Sequence, residues 1–273
     1  MKRIVNYKTF INESSDASTL TPEQIDFLNK YVIGKWHLND DGAVDVDGHF
    51  SCFNKGLSDF KGIVFGKVNE DFDCSYNKLT SLEGCPKEVG GNFHCSYNNL
   101  TSLEGCPKEV GGAFNCTNNN LTSLEFGPKE VGGAFNCTNN NLISLEFGPK
   151  EVGVDFDCSN NNLTSLEGAP KEVGNNFICS DNNLTSLEGI SKKVGGSLWC
   201  SSNEGLSTET IDLIFDKIIK SKLDYLDALN FLWEDIPIED KVLLYTPDLD
   251  WVEGEEAVKL SNLKKYGKIK KMI

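Results

Sequence analysis

A 21-residue repeat constrains the fold of this chain more than any other feature. Cysteines recur at that interval, and Cys52 precedes the series by 22 residues: Cys74, Cys95, Cys116, Cys137, Cys158, Cys179 and Cys200. The residue two before each cysteine is a phenylalanine, except for Leu198 in the last copy. Units of this length bury their apolar residues against neighbouring units. The sequence therefore predicts a solenoid of eight turns over residues 49–206.

The alternation within each repeat predicts one short parallel strand per turn. In a strand, neighbouring side chains point to opposite faces, so the Phe and the Cys of x-F-x-C would both point inward. An Asn follows each cysteine of the series by three residues, as Asn98 follows Cys95. We expect its amide to turn inward and bind backbone groups that are unpaired where the chain leaves the strand. Gly84, Pro86 and their copies divide the return path into turns.

The repeat as a whole resembles a known family. It reads G-G-x-F-x-C-[ST]-x-N-N-L-T-S-L-E-G-x-P-K-E-V, and it resembles the leucine-rich repeat, whose signature is L-x-x-L-x-L-x-x-N-x-L. The short period and the proline are similar to the bacterial class of that family. The resemblance covers about residues 48–206 and implies an α/β repeat solenoid with short parallel strands. One departure is that Gly90 and its copies occupy the first leucine position, with Val89 one place earlier.

Residues 21–48 are predicted to form an N-terminal cap made of a helix and a hairpin. Thr21-Pro22-Glu23-Gln24 has the residues of a capping box with proline at the first helical position. The apolar face of this helix would end at Gly34. The Asp-Gly pairs that follow lie between alternating apolar residues, which favours a hairpin over 35–48. A calcium loop is the alternative, but the acidic residues lack the full EF-hand pattern. Residues 1–20 are expected to be a flexible arm.

Residues 207–273 are predicted to form a helical C-terminal cap, because an open solenoid would expose its core. Ser207 is placed to cap a helix that continues to about residue 220. A second helix is expected at about 222–234 and a third near 254–266. The segment contains no cysteine and is too short for the ligase domain of some bacterial repeat effectors.

Charge and cysteine content exclude several classes of function. The formal net charge of −15 argues against nucleic-acid binding, which needs a basic surface. The apolar runs are too short for a membrane span, and no secretory signal follows Met1. Most of the ten cysteines fall in one inward line, which suits buried thiols rather than a metal cluster. Cys85 and Cys106, in the turns, are expected to be exposed. These features favour a reducing cytoplasm.

No catalytic motif or cofactor fingerprint occurs in the sequence, so neither an enzyme nor a small-molecule substrate is predicted. We expect a protein partner to bind along the outward residues of the strands. Equivalent outward residues of the stacked turns form two columns along that face, and only the first and last turns depart from a uniform Asn/Thr surface. The candidate partner-binding residues are Asp73, Tyr76, His94 and Tyr97 at one end, and Ile178 and Trp199 at the other. The alternatives are that the tyrosines stabilise neighbouring strands by stacking, and that Trp199 packs under the cap.

Residues 1–13 resemble the short leaders of proteins from large tailed bacteriophages, and Ile11-Asn12-Glu13 resembles the site that prohead proteases cleave. The resemblance implies a phage-encoded protein that acts in the host cytoplasm or is packaged in the virion. The leading hypothesis is a non-enzymatic binding or scaffolding protein with a host or phage partner. The alternative is a structural component of a phage virion. Glycan binding by the Asn/Thr face, which needs an extracellular setting, ranks last.

Overall fold

A computed structural model describes residues 20–185, 189–191, 193–196, 198–203, 250–252 and 255–258. Over these residues the chain forms a parallel β-solenoid of about seven turns with a single α-helix. The repeating solenoid and its period of about 21 residues are confirmed. The expected number of eight turns is one too many, because eight successive strand positions enclose seven intervals.

The first of two parallel ladders contains the strands that the sequence predicted. Each strand pairs in register with its neighbours one turn away, so that Phe lies beside Phe, as Phe93 lies beside Phe114. Its members are β4 (Phe72–Asp73), β6 (Phe93–His94), β8 (Phe114–Asn115), β10 (Phe135–Asn136), β12 (Phe156–Asp157), β14 (Phe177–Ile178) and β16 (Leu198–Trp199).

A second parallel ladder runs along the return path, where the sequence predicted only turns. In most of its strands a Glu points outward and a Val points inward, and Glu130 lies beside Glu151. Its members are β3 (Phe65–Val68), β5 (Glu88–Val89), β7 (Glu109–Val110), β9 (Glu130–Val131), β11 (Glu151–Val152), β13 (Glu172–Val173) and β15 (Lys193–Val194). The α/β description is therefore only partly matched, because the described repeats contain strands on both sides and no helix.

Glycines end the second ladder because successive turns approach too closely for a side chain. A Cβ added at Gly132 would stand 2.2 Å from the carbonyl oxygen of Gly111, and the same contact recurs along the column. The column explains why Gly occupies the first leucine position of the repeat. Val89, one residue earlier, is buried in the core.

The core is a continuous stack of phenylalanine rings. Phe72, Phe93, Phe114 and Phe135 are fully or almost fully buried. Their ring centroids lie 5.2–5.5 Å apart along the stack with interplanar angles of 11–15°. This spacing follows from the strand separation of about 4.8 Å. The inward direction of Phe and Cys is confirmed.

The inward asparagines form a second stack, as the sequence predicted. The Asn119 side-chain nitrogen donates to the carbonyl oxygens of Cys95 at 3.1 Å and Cys116 at 3.0 Å, and its oxygen accepts from the Leu100 amide at 3.0 Å. Asn98 and Asn140 make the equivalent bonds in their own turns. Each amide therefore joins two successive turns through backbone groups that have left the strand.

All ten cysteines are buried thiols, including the two that were expected to be exposed. Cys85 and Cys106 retain only 6% and 4% of their accessible surface. The expectation was wrong because Pro86 and Pro107 turn the return path over the core, so the cysteine before each proline points inward. Burial is the main cause that raises the pKa of Cys106 to about 12. Burial also raises the pKa of Cys85. Cys85 and Cys106 therefore stay protonated at neutral pH and pack as small apolar side chains.

The N-terminal end is closed by α1 (Pro22–Tyr31) and a hairpin of β1 (Val32–Leu38) and β2 (Val44–Ser51). The Thr21 hydroxyl accepts from the Gln24 amide, and the Gln24 side chain accepts from the Thr21 amide. The helix ends at Tyr31, not at Gly34, which lies within β1. Phe27 and Tyr31 contact Phe50, the first ring of the core stack. Of the predicted arm, only Leu20 is described, and it packs against the core.

The described residues near the C-terminus are strands, so the helical cap is not supported. β17 (Asp250–Val252) and β18 (Glu255–Val258) pair antiparallel, and β18 pairs antiparallel with β16. The third helix predicted near 254–266 is wrong at its start, because residues 255–258 are extended and add a strand to the first ladder. The helices predicted at 207–220 and 222–234 lie outside the described residues.

Candidate functional site

An exposed group of three aromatic rings lies on the N-terminal turns of the solenoid. Tyr76 and Tyr97 are each 44% exposed, and their rings stack with centroids 4.1 Å apart at 14°. Phe53 is 45% exposed and places its ring 5.1 Å from that of Tyr76. We call these three residues the aromatic patch. Its rings form a row across three successive turns.

The two tyrosines stand in left-handed backbone, whereas the sequence analysis placed them on the strand face. Their φ angles are 57° for Tyr76 and 53° for Tyr97, and the strands end three residues earlier, at Asp73 and His94. The same position is left-handed in the later turns, where it holds Asn118, Asn139, Asn160, Asp181 and Ser202. Asn is the least unfavourable non-glycine residue there, because its short polar side chain tolerates this conformation.

Tyr therefore has an energetic cost at these positions that Asn largely avoids. Left-handed backbone costs an ordinary L-residue about 1–2 kcal/mol. A stacked aromatic pair returns about 0.5–1.5 kcal/mol. Both tyrosines are left-handed, so together they cost about 2–4 kcal/mol, which one stacked pair returns only in part. Stacking within the chain therefore gives no net reason to keep tyrosine where the neighbouring turns use asparagine.

The phenol groups of the patch interact with each other. A hydrogen bond with Tyr97 is the main cause that raises the pKa of Tyr76. Tyr76 is therefore neutral at physiological pH. Two lysines flank the patch in sequence, since Lys55 and Lys78 each come two residues after one of its rings, and both are exposed. The patch thus combines exposed rings with positive charge on a chain whose net charge is −15.

Asp73 and His94 are brought together but are less available than the tyrosines. They are register partners on β4 and β6, and both are half-buried. One carboxylate oxygen of Asp73 accepts from the Ser75 amide at 2.9 Å. Asn115 and Asn136 make the same bond to the amide two residues ahead. This bond fixes the turn after each strand, so Asp73 has a local structural role.

Ile178 and Trp199 are also register partners, on β14 and β16. Both are half-buried. Trp199 lies opposite Ala257 of the added strand β18. The structure thus places these two residues together at the C-terminal end, far along the ladder from the aromatic patch. They do not form one surface with it.

The sequence analysis missed three exposed aromatic residues. Phe53 follows Cys52 at a position that holds Ser or Thr in the later turns, so the repeat pattern does not align it with Tyr76, although the two rings are in contact. Phe126 and Phe147 are 43% and 57% exposed on the return path. The signal that could have revealed them is in the alignment of the repeats, where both replace a glycine. Asn at the Tyr76 position of later repeats likewise signals left-handed backbone.

Acidic side chains line a shallow groove of about 670 Å³ along the second ladder. Its exposed glutamates lie in register, with the Lys193 ammonium 2.9 Å from the Glu172 carboxylate at one end. Within the described part of the chain, no three His, Cys, Asp or Glu side chains are arranged to hold a metal ion.

Comparisons of the chain with protein-family models, with curated proteins and with solved structures found no match. The class of the protein therefore follows from its own geometry, as a parallel β-solenoid with two ladders and an exposed aromatic patch. A search of the described residues for a helix long and apolar enough to cross a bilayer found none.

Proposed function

We propose that this chain is a non-enzymatic binding module that recognises a protein partner through the aromatic patch. The observation that carries the proposal is the pair of stacked, exposed tyrosines in left-handed backbone, where the following turns use asparagine. Residues held in a strained conformation at an exposed site are typical of functional positions. Tyrosine is also among the residues that dominate the energy of protein interfaces.

The chemistry of the patch suggests what it binds. The row of Phe53, Tyr76 and Tyr97 offers an apolar surface across three turns, and Lys55 and Lys78 flank it in sequence. A complementary segment would place an apolar or aromatic side chain on the rings and carboxylates near the lysines. Such a partner would bind this end of the solenoid, while the acidic remainder of the chain would repel it.

Membership of the leucine-rich-repeat family belongs to the same proposal. The inward asparagines and the paired leucines of each turn, such as Leu100 and Leu103, support it because both are buried as in that repeat. The second ladder on the return path is a departure. The origin from a phage, which rests on residues 1–13, remains a sequence-based prediction, as does action in the host cytoplasm.

The proposal is tested by converting the patch to the residue that the later turns use. In the variant Tyr76→Asn with Tyr97→Asn, we expect the melting temperature to rise or to fall by no more than about 3 °C, because the relief of backbone strain at two residues at least offsets the one lost stacked pair. Affinity capture from the cells that encode the protein, with quantitative mass spectrometry, should recover a partner with the wild-type chain. Recovery should fall about tenfold or more with the variant.

A matched control carries Asn141→Ala and Asn162→Ala, which alter exposed asparagines at least two turns beyond Tyr97. It should retain the partner. The proposal would be wrong if the double asparagine variant folded normally and still captured the same partner in full. It would also be wrong if that variant unfolded, since the tyrosines would then have a structural role.

A further inference from the structure

Phe126 and Phe147 form a second exposed apolar surface, on a different segment of the turn from the aromatic patch. Both are bulky, exposed and in left-handed backbone, with φ angles of 68° and 67°. They lie one repeat apart, so that their turns are adjacent in the stack. We call them the phenylalanine pair.

The other turns show that the fold does not need phenylalanine here. The equivalent residues are glycines, with φ angles of 85–88°: Gly84, Gly105, Gly168 and Gly189. Glycine adopts this conformation without steric cost, whereas a bulky side chain is strained in it. The pair is unfavourable a second time because it exposes apolar surface to water. Phenylalanine replaces this glycine in two neighbouring turns, and each carries both backbone strain and exposed apolar surface.

Local bonds hold the strained backbone in place. The Lys108 ammonium donates to the Phe126 carbonyl oxygen at 2.6 Å, and the Lys129 ammonium donates to the Phe147 carbonyl oxygen at 2.6 Å. Each lysine comes from the preceding turn, so the bonds join the turns and fix the backbone that presents the rings. Ile143, which is 68% exposed, precedes Phe147 on the same return segment and replaces a threonine of the other repeats.

Charged residues flank the pair in a fixed order. Along each return segment the chain passes an exposed glutamate, the phenylalanine and then an exposed lysine, as in Glu146, Phe147 and Lys150. Stacked turns convert this order into an acidic column on one side of the rings and a basic column on the other. The exposed glutamates of the second ladder, such as Glu151, form a further acidic column directly beyond the basic one.

We propose that this face binds a second copy of the chain. The two solenoids lie side by side and point in the same direction, related by a two-fold axis parallel to the stack. That symmetry places each phenylalanine against its own counterpart, and it reverses the order of the columns, so that Glu146 faces the partner's Lys150. An antiparallel arrangement would place glutamates against glutamates. Charge complementarity therefore selects both the occupant and its orientation.

The test is sedimentation velocity of the full chain across the micromolar range at physiological salt. The wild type should be a reversible dimer with a dissociation constant of roughly 10–100 µM, because an interface centred on two rings is small. The variant Phe126→Gly with Phe147→Gly should be monomeric, with a melting temperature equal to or above that of the wild type, since it restores the glycine of the other turns. A rise in stability excludes misfolding as the reason for a monomer.

A charge exchange tests the orientation. Glu146→Lys alone should weaken the dimer about tenfold. Adding Lys150→Glu in the same chain should restore it, because the exchanged charges again face each other across the two-fold axis. A wild-type chain that is monomeric throughout the range would overturn the proposal, as would a dimer that survives the double glycine variant. Failure of the exchange to restore the dimer would overturn the side-by-side arrangement. Tyr76 and Tyr97 play no part in any of these outcomes.

Discussion

The asparagine stack gives the sharpest prediction about stability, and Asn140 is its central member. Replacing Asn140 by alanine removes a side chain that is only 8% exposed. The loss leaves the Leu121 amide without its acceptor at 3.0 Å. It also removes one of the two asparagine donors of the carbonyl oxygens of Cys116 and Cys137, which keep their hydrogen bonds from Asn119 and Asn161. All three groups lie between buried side chains.

The expected cost follows from these three groups. An unsatisfied buried donor or acceptor costs about 1–3 kcal/mol. Only the Leu121 amide is left unsatisfied, and the two lost bonds to carbonyl oxygens that keep another donor add about 0.5–1.5 kcal/mol each. We therefore expect a loss of about 3 kcal/mol in the free energy of unfolding. That is a large fraction of the roughly 5–15 kcal/mol by which folded proteins are stable. Because each turn contacts only its neighbours, we also expect a broader transition.

The measurement is urea unfolding followed by far-ultraviolet circular dichroism. The matched control is Asn141→Ala, which alters the next residue, whose side chain is exposed, and should change stability by no more than about 0.5 kcal/mol. A loss below about 1.5 kcal/mol for Asn140→Ala would mean that the amide bonds do not hold successive turns together. Equal losses in the two variants would mean the same.

Three further predictions concern the thiols and the second ladder. Burial raises the pKa of Cys106 from 9.0 to about 12. The free energy of unfolding should therefore be intact below about pH 9 and fall progressively towards pH 12, because the thiol loses its proton first in the unfolded chain. Urea unfolding at a series of pH values measures this, and stability that is flat to pH 11 would contradict it. Ellman's reagent should likewise label almost no thiol before unfolding, and rapid labelling of native protein would contradict the burial. Gly132→Ala should lower the free energy of unfolding by about 3 kcal/mol, because its Cβ would meet the Gly111 carbonyl oxygen. The control Gly56→Ala, at a φ of +68° in open space, should cost only about 1 kcal/mol of backbone strain. Thermal unfolding compares the two variants, and equal losses would contradict the close approach of the turns.

Most of the candidate site could be found from the sequence, but its geometry could not. The aromatic side chains of Tyr76 and Tyr97 interrupt a uniform column, and that departure is visible in the repeats alone. Their left-handed backbone was not predicted, although Asn139 and Asn160 at the same position signal it. Phe53 escaped notice because its neighbour Tyr76 belongs to the next turn, and the contact exists only once the turns are stacked.

The sequence by itself determined the period, the first ladder and the inward residues. A 21-residue repeat with Phe, Cys and Asn at fixed positions leaves few ways to bury those side chains, so the solenoid and the buried stacks follow from pattern alone. The tertiary structure decided what the return path does. The pairing of Glu130 with Glu151 and the burial of Cys85 depend on how closely successive turns approach and on how the turn closes over the core. No local propensity encodes those two distances, because they are set by side chains of the neighbouring turn.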